Sequence, residues 1–312
     1  MTVTPVGPAD IVAAATRLVG RVRRTPVLAL DDATFGHPCV LKLELVQHAG
    51  SFKTRGAFNR VLGAGPLPAA GLVAASGGNH GAATAYVGRA LGVPATVFVP
   101  ATSPAAKRER IAALGGTVVV AGEVYDDAQA AADEHATRSG ALLVHPYDHP
   151  LTVAGAGTLA RELNEQAPAL DTVLVAVGGG GLLAGVASWF RDRARVVSVE
   201  PASIPAMARS VEAGMPVDVE VSGLAADSLG AKRIGAVPWA CASPFVHHAV
   251  LVADDDIRAA QRALWTSCRV VAEPGGAAAL AALLCGAYRP VAGERVGVVV
   301  CGANTDPASV TG

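Results

Sequence analysis

The chain has 312 residues, 51% of them hydrophobic and 16% charged, with 25 Lys and Arg against 26 Asp and Glu. So apolar a composition excludes disorder, and the length supplies core for one large or two closely packed domains. A net charge of −1 and 4% aromatic residues give neither the positive field nor the stacking surfaces that nucleic acid requires, so no nucleic-acid partner is expected.

The N-terminal MTVTPVGPAD shows no basic region leading into an apolar stretch, so no secretory leader is expected. A helix over 8–19 is followed by a strand at 38–44 (PCVLKLE) and a helix over 53–63. Strands at 71–75, 95–99, 117–121 and 141–144 then alternate with helices at 79–91, 104–114 and 124–138. Helix 152–166 precedes strand 172–177, helix 182–193, strand 195–200 and helix 203–213. Strand 248–253, helices 255–270 and 275–285 and strand 295–300 close the chain. Near-continuous apolar strands alternating with helices imply parallel sheets covered on both faces, an α/β fold. Ser103 before Pro104, and Asp254 or Asp255, read as helix caps; Gly92 and Gly115 read as helix stops.

Residues 172–190 carry no charge and are long enough to span a bilayer, but glycines interrupt them, and 274–288 are too short; no membrane span is expected. The five cysteines are scattered and odd in number, which fits a reducing, cytoplasmic setting. His145 and His149 are four apart, but Pro146 breaks the helix that would align them, so no metal is assigned to them.

Three segments carry chemistry. In HAGSFKTRGAF (48–58), Lys53 follows a Gly-Ser turn and Phe52 at a helix start. An arbitrary lysine is usually solvated, but a helix N-terminus disfavours a cation, and a partly buried amine there has the lowered pKa that suits a Schiff-base nucleophile. In ASGGNHGAA (75–83), directly after a strand, Ser76, Gly77, Gly78 and Asn79 can aim donors at an anion; simple capping of the next helix is the alternative. His80, taken alone, reads as a packed or capping histidine. In VGGGGLLAG (177–185), glycines let several N–H groups converge on a phosphate at a helix start. This is neither the spaced dinucleotide fingerprint nor a P-loop, so it points to a small phosphorylated cofactor.

Taken in order, SFKTRGA, SGGNHG and GGGGL make the chain resemble the pyridoxal-phosphate enzymes of fold type II, the tryptophan synthase β-like fold, and within it the serine/threonine dehydratase and serine racemase group. The resemblance runs from the helix near residue 10 to CGAN at 301–304. It implies two parallel-sheet domains with flanking helices and the cofactor in the cleft between them. The larger domain would combine 1–53 with 151–312, and the smaller would be an insertion of 54–150. It also implies pyridoxal 5'-phosphate held as a Schiff base by Lys53, with Phe52 packed on the ring and Asn79 at the ring's 3'-oxygen. Gly178, Gly179, Gly180, Gly181 and Leu182 would cradle the phosphate, and Cys301 would face the pyridine nitrogen. Ser76, Gly77, Asn79 and His80 would receive the substrate, and Ser76 joins Lys53 as a catalytic residue.

The implied reaction is dehydration of a β-hydroxy amino acid, L-threonine or L-serine, to a 2-oxo acid and ammonia, in a homodimer. Racemases carry a second serine where this chain has Gly77, which favours elimination. A serine racemase, a β-replacement enzyme or a dehydratase of a bulkier substrate is the alternative within the family, and a nucleotide-binding module without catalysis is the alternative outside it. Ala49 and Ala156 depart from common residues of the family and are expected to alter the substrate pocket. Some relatives bind a divalent cation through a glutamate and an aspartate six residues on; Glu200 matches the first but Ala206 replaces the second, so no metal is assigned. Glu273 in EPGGAA matches a commonly retained glutamate, with an ordinary helix-cap role as the alternative. Asp227 and Ser228 match a segment near the active-site mouth.

Overall fold

The computed structural model describes residues 4–311, so the first residues of the N-terminal stretch read above lie outside the described residues. Among the described residues ten strands form two sheets. In chain order they are β1 (Val27–Leu30), β2 (Cys39–Leu43), β3 (Leu72–Ala75), β4 (Ala95–Val99), β5 (Thr117–Val120), β6 (Leu142–Leu143), β7 (Thr172–Ala176), β8 (Arg195–Pro201), β9 (Val246–Val252) and β10 (Val296–Val300). The six-stranded sheet runs β1-β2-β10-β7-β8-β9, and the four-stranded sheet runs β5-β4-β3-β6. Every pairing is parallel except β1 with β2. The chain is therefore two α/β domains, the strands of the smaller sheet all falling between residues 72 and 143.

Burial follows from composition. All five residues of β7 and of β10 are buried, because helices cover both faces of a parallel sheet. The helix Pro274–Leu284 is buried nearly all round, which its run of Gly and Ala permits by letting the backbone approach β7, β8 and β10. The uncharged run 172–190 resolves into a strand, a glycine turn and the helix Gly181–Phe190. Among the described residues no helix is long and apolar enough to cross a membrane.

Local details depart from the sequence expectations in a few places. β1 was not expected; it is an antiparallel edge strand whose side chains are mostly half-buried, so it lacks the apolar run of the central strands. Pro104 itself caps the helix Ala105–Ala113, with extended ψ of 144°, in place of Ser103. Ala253 caps Asp254–Cys268, and Asp256 accepts from the Ala253 N–H at 3.0 Å. His149 caps Pro150–Gln166, its Nδ1 accepting from the Leu151 N–H at 3.1 Å.

The two passages of the chain between the sheets are fastened by buried charge. Arg55, in the helix Lys53–Leu62, donates from Nε and Nη2 to Glu44, and from Nη1 and Nη2 to Glu162, each at 2.8 Å. Lys42 Nζ donates to Glu162 at 2.9 Å and to Gln166 at 2.8 Å. Lys42, Glu44 and Arg55 are fully buried, and each is paired with a group of opposite charge in place of water.

Candidate active site

The site lies at the carboxyl ends of three strands. β10 is followed directly by Cys301, β3 runs into the Ser76–Gly78 turn, and β7 runs into the glycine turn. Together they bound a cavity of about 470 Å³ that also takes Phe52, Lys53, Tyr147 and Glu273 in its wall.

Lys53 is the first residue of its helix, and the segment before it is tied to the end of β10. The Phe52 N–H donates to the Cys301 carbonyl at 3.1 Å, and Ser51 bridges to Gly302. The Lys53 Nζ donates to the Pro146 carbonyl at 2.9 Å and sits 5.1 Å from the centre of the Phe52 ring and 5.9 Å from that of Tyr147. Loss of water on burial lowers its pKa to about 8, against weaker opposing attraction from Cys301 and Glu273.

The glycine turn is shaped by what surrounds it. A methyl at Gly179 would lie 2.4 Å from the Tyr147 ring, and Gly180 has a φ of +88° and would put its methyl 2.9 Å from Pro238. The turn opens the helix Gly181–Phe190, whose first N–H groups have no partner within the helix and carry the positive end of its dipole.

On another wall, the Gly78 N–H donates to Ser76 Oγ at 3.2 Å, and the helix Asn79–Leu91 presents the free N–H groups of its first turn. Asn79 Nδ2 donates to Glu273 Oε1 at 2.5 Å, and its Oδ1 accepts from Asn304. Burial pushes Glu273 up to about 7 in spite of the Asn79 hydrogen bond.

His80 sits at the cavity wall but turns its ring away. Its Nε2 donates to the Val144 carbonyl at 2.6 Å, and burial first, with the Lys53 charge second, lowers its pKa to about 3. What it offers a ligand is therefore its backbone N–H. Burial likewise pushes the Cys301 thiol far up, so it stays protonated and donates to the Gly275 carbonyl at 3.3 Å.

A family model described as pyridoxal-phosphate dependent enzyme matches residues 19–302. The chain belongs to that family. It is 40% identical to the phenylserine dehydratase of Ralstonia pickettii, over 94% of this chain and 91% of that protein. It is 36% identical to an L-threonine ammonia-lyase of Geobacter sulfurreducens, over 95% of this chain and 75% of that one. The solved structure of maize serine racemase superposes with a TM-score of 0.92 at 31% identity, covering 98% of this chain and 96% of that one.

The walls fit the cofactor of this family. Its phosphate suits a turn whose close neighbours leave no room for Cβ atoms and whose helix supplies unpartnered N–H groups, and its aldehyde suits an amine already stripped of water. Lys53, Phe52, Ser76, Gly77, Asn79, His80, Gly178–Gly181, Leu182 and Cys301 all bound the one cavity. Asp227 and Ser228 bound it too, whereas Ala49 and Ala156 do not, which corrects the expectation that they shape the pocket. Ala156 is instead buried within Pro150–Gln166.

Glu200 is likewise spent on structure. Its carboxylate accepts from the N–H groups of Met207 at 2.6 Å and Ala208 at 2.9 Å, at the start of the helix Ala206–Ala213. Among the described residues no group of three His, Cys, Asp or Glu side chains is placed to hold a metal. Sequence reasoning missed Tyr125, Tyr147 and Lys107 among others, whose two helices and one loop come to the cavity only through the fold.

Proposed function

We propose that the protein eliminates water from a β-hydroxy amino acid, L-threonine or L-serine, giving a 2-oxo acid and ammonia. The observation that carries this reading is a desolvated lysine amine facing the same cavity as a phosphate-sized glycine turn and a second anion-binding turn. Pyridoxal phosphate, when bound, supplies an electron sink that makes the substrate Cα–H acidic. Gly178 to Gly181 and Leu182 would hold its phosphate through their N–H groups, and Phe52 would pack against its ring. The second Nδ2 proton of Asn79, the first being given to Glu273, would meet the ring's oxygen.

Ser76 and the amides of residues 77, 79 and 80 orient the substrate carboxylate. Lys53 Nζ would be the base that takes the proton from Cα; with a pKa near 8 part of it is already neutral at pH 7. The same Nζ then returns a proton to the departing β-oxygen. Cys301 presents a neutral thiol whose one S–H is given to the Gly275 carbonyl, so nothing there would hold a positive charge at the ring nitrogen, which favours prompt loss of the β-substituent. Gly77 adds no acid or base on the opposite face, which disfavours racemisation. The two domains, with boundaries near 54 and 150, close to exclude water, and the working form is a cytoplasmic homodimer, checked by light scattering.

A bulkier substrate is the second reading, favoured by the 40% identity to a phenylserine dehydratase over 91% of its length. Holoenzyme offered L-serine, L-threonine and phenylserine in turn, with 2-oxo acid followed, tests both readings. Inactivity on all three with cofactor bound overturns them; a changed product configuration or incorporation of an added thiol then identifies a racemase or a replacement enzyme.

A further inference from the structure

Two ion pairs cross the mouth of the cavity from one domain to the other. Lys107, in the helix Ala105–Ala113, meets Asp227 at 3.0 Å, and Lys232 meets Asp126 at 2.7 Å; all four bound the cavity. The first pair stands over the anion-binding turn. A methyl at Gly77 would lie 2.4 Å from Ser103 Oγ, just ahead of the Lys107 helix, and one at Gly78 would lie 3.4 Å from the Asp227 carbonyl. Arg233, another cation of the wall, is held by Asp218 at 3.0 Å. Each of these cations thus faces a carboxylate of its own.

We propose that the Lys107–Asp227 pair determines specificity at the β-substituent end of the substrate. Asp227 occupies Lys107, so among the described residues the mouth offers no cation without a carboxylate of its own to a second carboxylate, and it admits β-hydroxy amino acids with uncharged side chains. A 3-hydroxyaspartate would bring its side-chain carboxylate beside Asp227, where the one positive charge of Lys107 is already matched by that carboxylate, a repulsive element of the kind that selects between otherwise similar ligands. The Asp227 side chain is 74% exposed, so the pair contributes little to folding; its effect lies in the charge it presents. The proposal rests on the reading above for the orientation of the substrate on the Ser76–Asn79 turn.

The test compares holoenzyme of the parent, Asp227→Asn, and Asp227→Asn with Lys107→Met. Binding of malonate relative to propionate, by calorimetry, separates a second carboxylate from a methyl group. The ratio should rise at least about tenfold in Asp227→Asn and fall back when Lys107 is also replaced, as expected for a single charge-assisted hydrogen bond that forms in the first variant and is missing from the second. Turnover of 3-hydroxyaspartate relative to L-serine should follow the same order. A parent that already prefers malonate as strongly as Asp227→Asn does, or a double variant that keeps the higher ratio, overturns the proposal. If no β-hydroxy amino acid is turned over by any of the three while the malonate ratios behave as stated, the specificity proposal stands and the dehydratase reading fails.

Discussion

Replacing Arg55 with Met should cost more stability than any exposed charge in the protein. The guanidinium makes four bonds of 2.8 Å to two carboxylates, with further hydrogen bonds to the Arg23 carbonyl at 3.1 Å and Thr158 at 3.2 Å. Met fills much of the volume but leaves Glu44 fully buried with only Thr25 as a side-chain partner, while Glu162 keeps Lys42. Breaking a buried pair from one side costs about 3–5 kcal/mol, because the stranded charge has lost both water and counter-ion. For a chain of this size that is a fall of roughly 5–10 °C in melting temperature. Adding Glu44→Gln removes the stranded charge and should restore at least about 1 kcal/mol, so the two substitutions are not additive. Denaturant unfolding of the parent, both single variants and the double variant measures this. A loss under about 1 kcal/mol for Arg55→Met, or a double variant as unstable as the sum of the singles, would refute the ionic account of how this helix is held.

Other consequences are separately measurable. Because burial lowers Lys53 to about 8, cofactor loading onto the apoenzyme should speed up as pH rises through 8 and run about tenfold slower at pH 7 than on its plateau, followed by absorbance in a stopped-flow mixer. Gly179→Ala would place a methyl 2.4 Å from the Tyr147 ring; the overpacking, about 1–3 kcal/mol, should weaken pyridoxal phosphate binding roughly ten- to a hundredfold in an equilibrium titration. Glu200, pushed up to about 7 by burial, holds its proton more tightly folded than unfolded. Its contribution is therefore fully present below its unfolded value of 4.5 and is lost as pH rises towards 7, so Glu200→Gln should flatten the slope of melting temperature over that window.

The fold and the two glycine turns that bound the cavity were legible because each rests on local pattern. β3 and β7 are apolar runs ending in glycine turns, and a strand, a turn and a helix start are written in consecutive residues. β1 was not legible, since a half-buried antiparallel edge leaves no apolar run to read. Tyr147 was hidden for a different reason: its packing against Gly179 joins a loop after β6 to one after β7, and only tertiary structure reveals it. The same holds for Lys107, which looks like an ordinary surface charge until two domains bring it to 3.0 Å from Asp227. Ala49 and Ala156 mislead in the opposite sense, because a residue type that departs from a pattern need not face the cavity.

The most direct test is to reduce the holoenzyme with borohydride, digest it and locate the pyridoxyl group by mass spectrometry. Lys53 should carry it, and Lys53→Ala should neither take the label nor release ammonia from a β-hydroxy amino acid. A label found on another lysine, or an unlabelled protein that still forms the 2-oxo acid, would contradict the assignment of Lys53 and with it the reaction built on that amine.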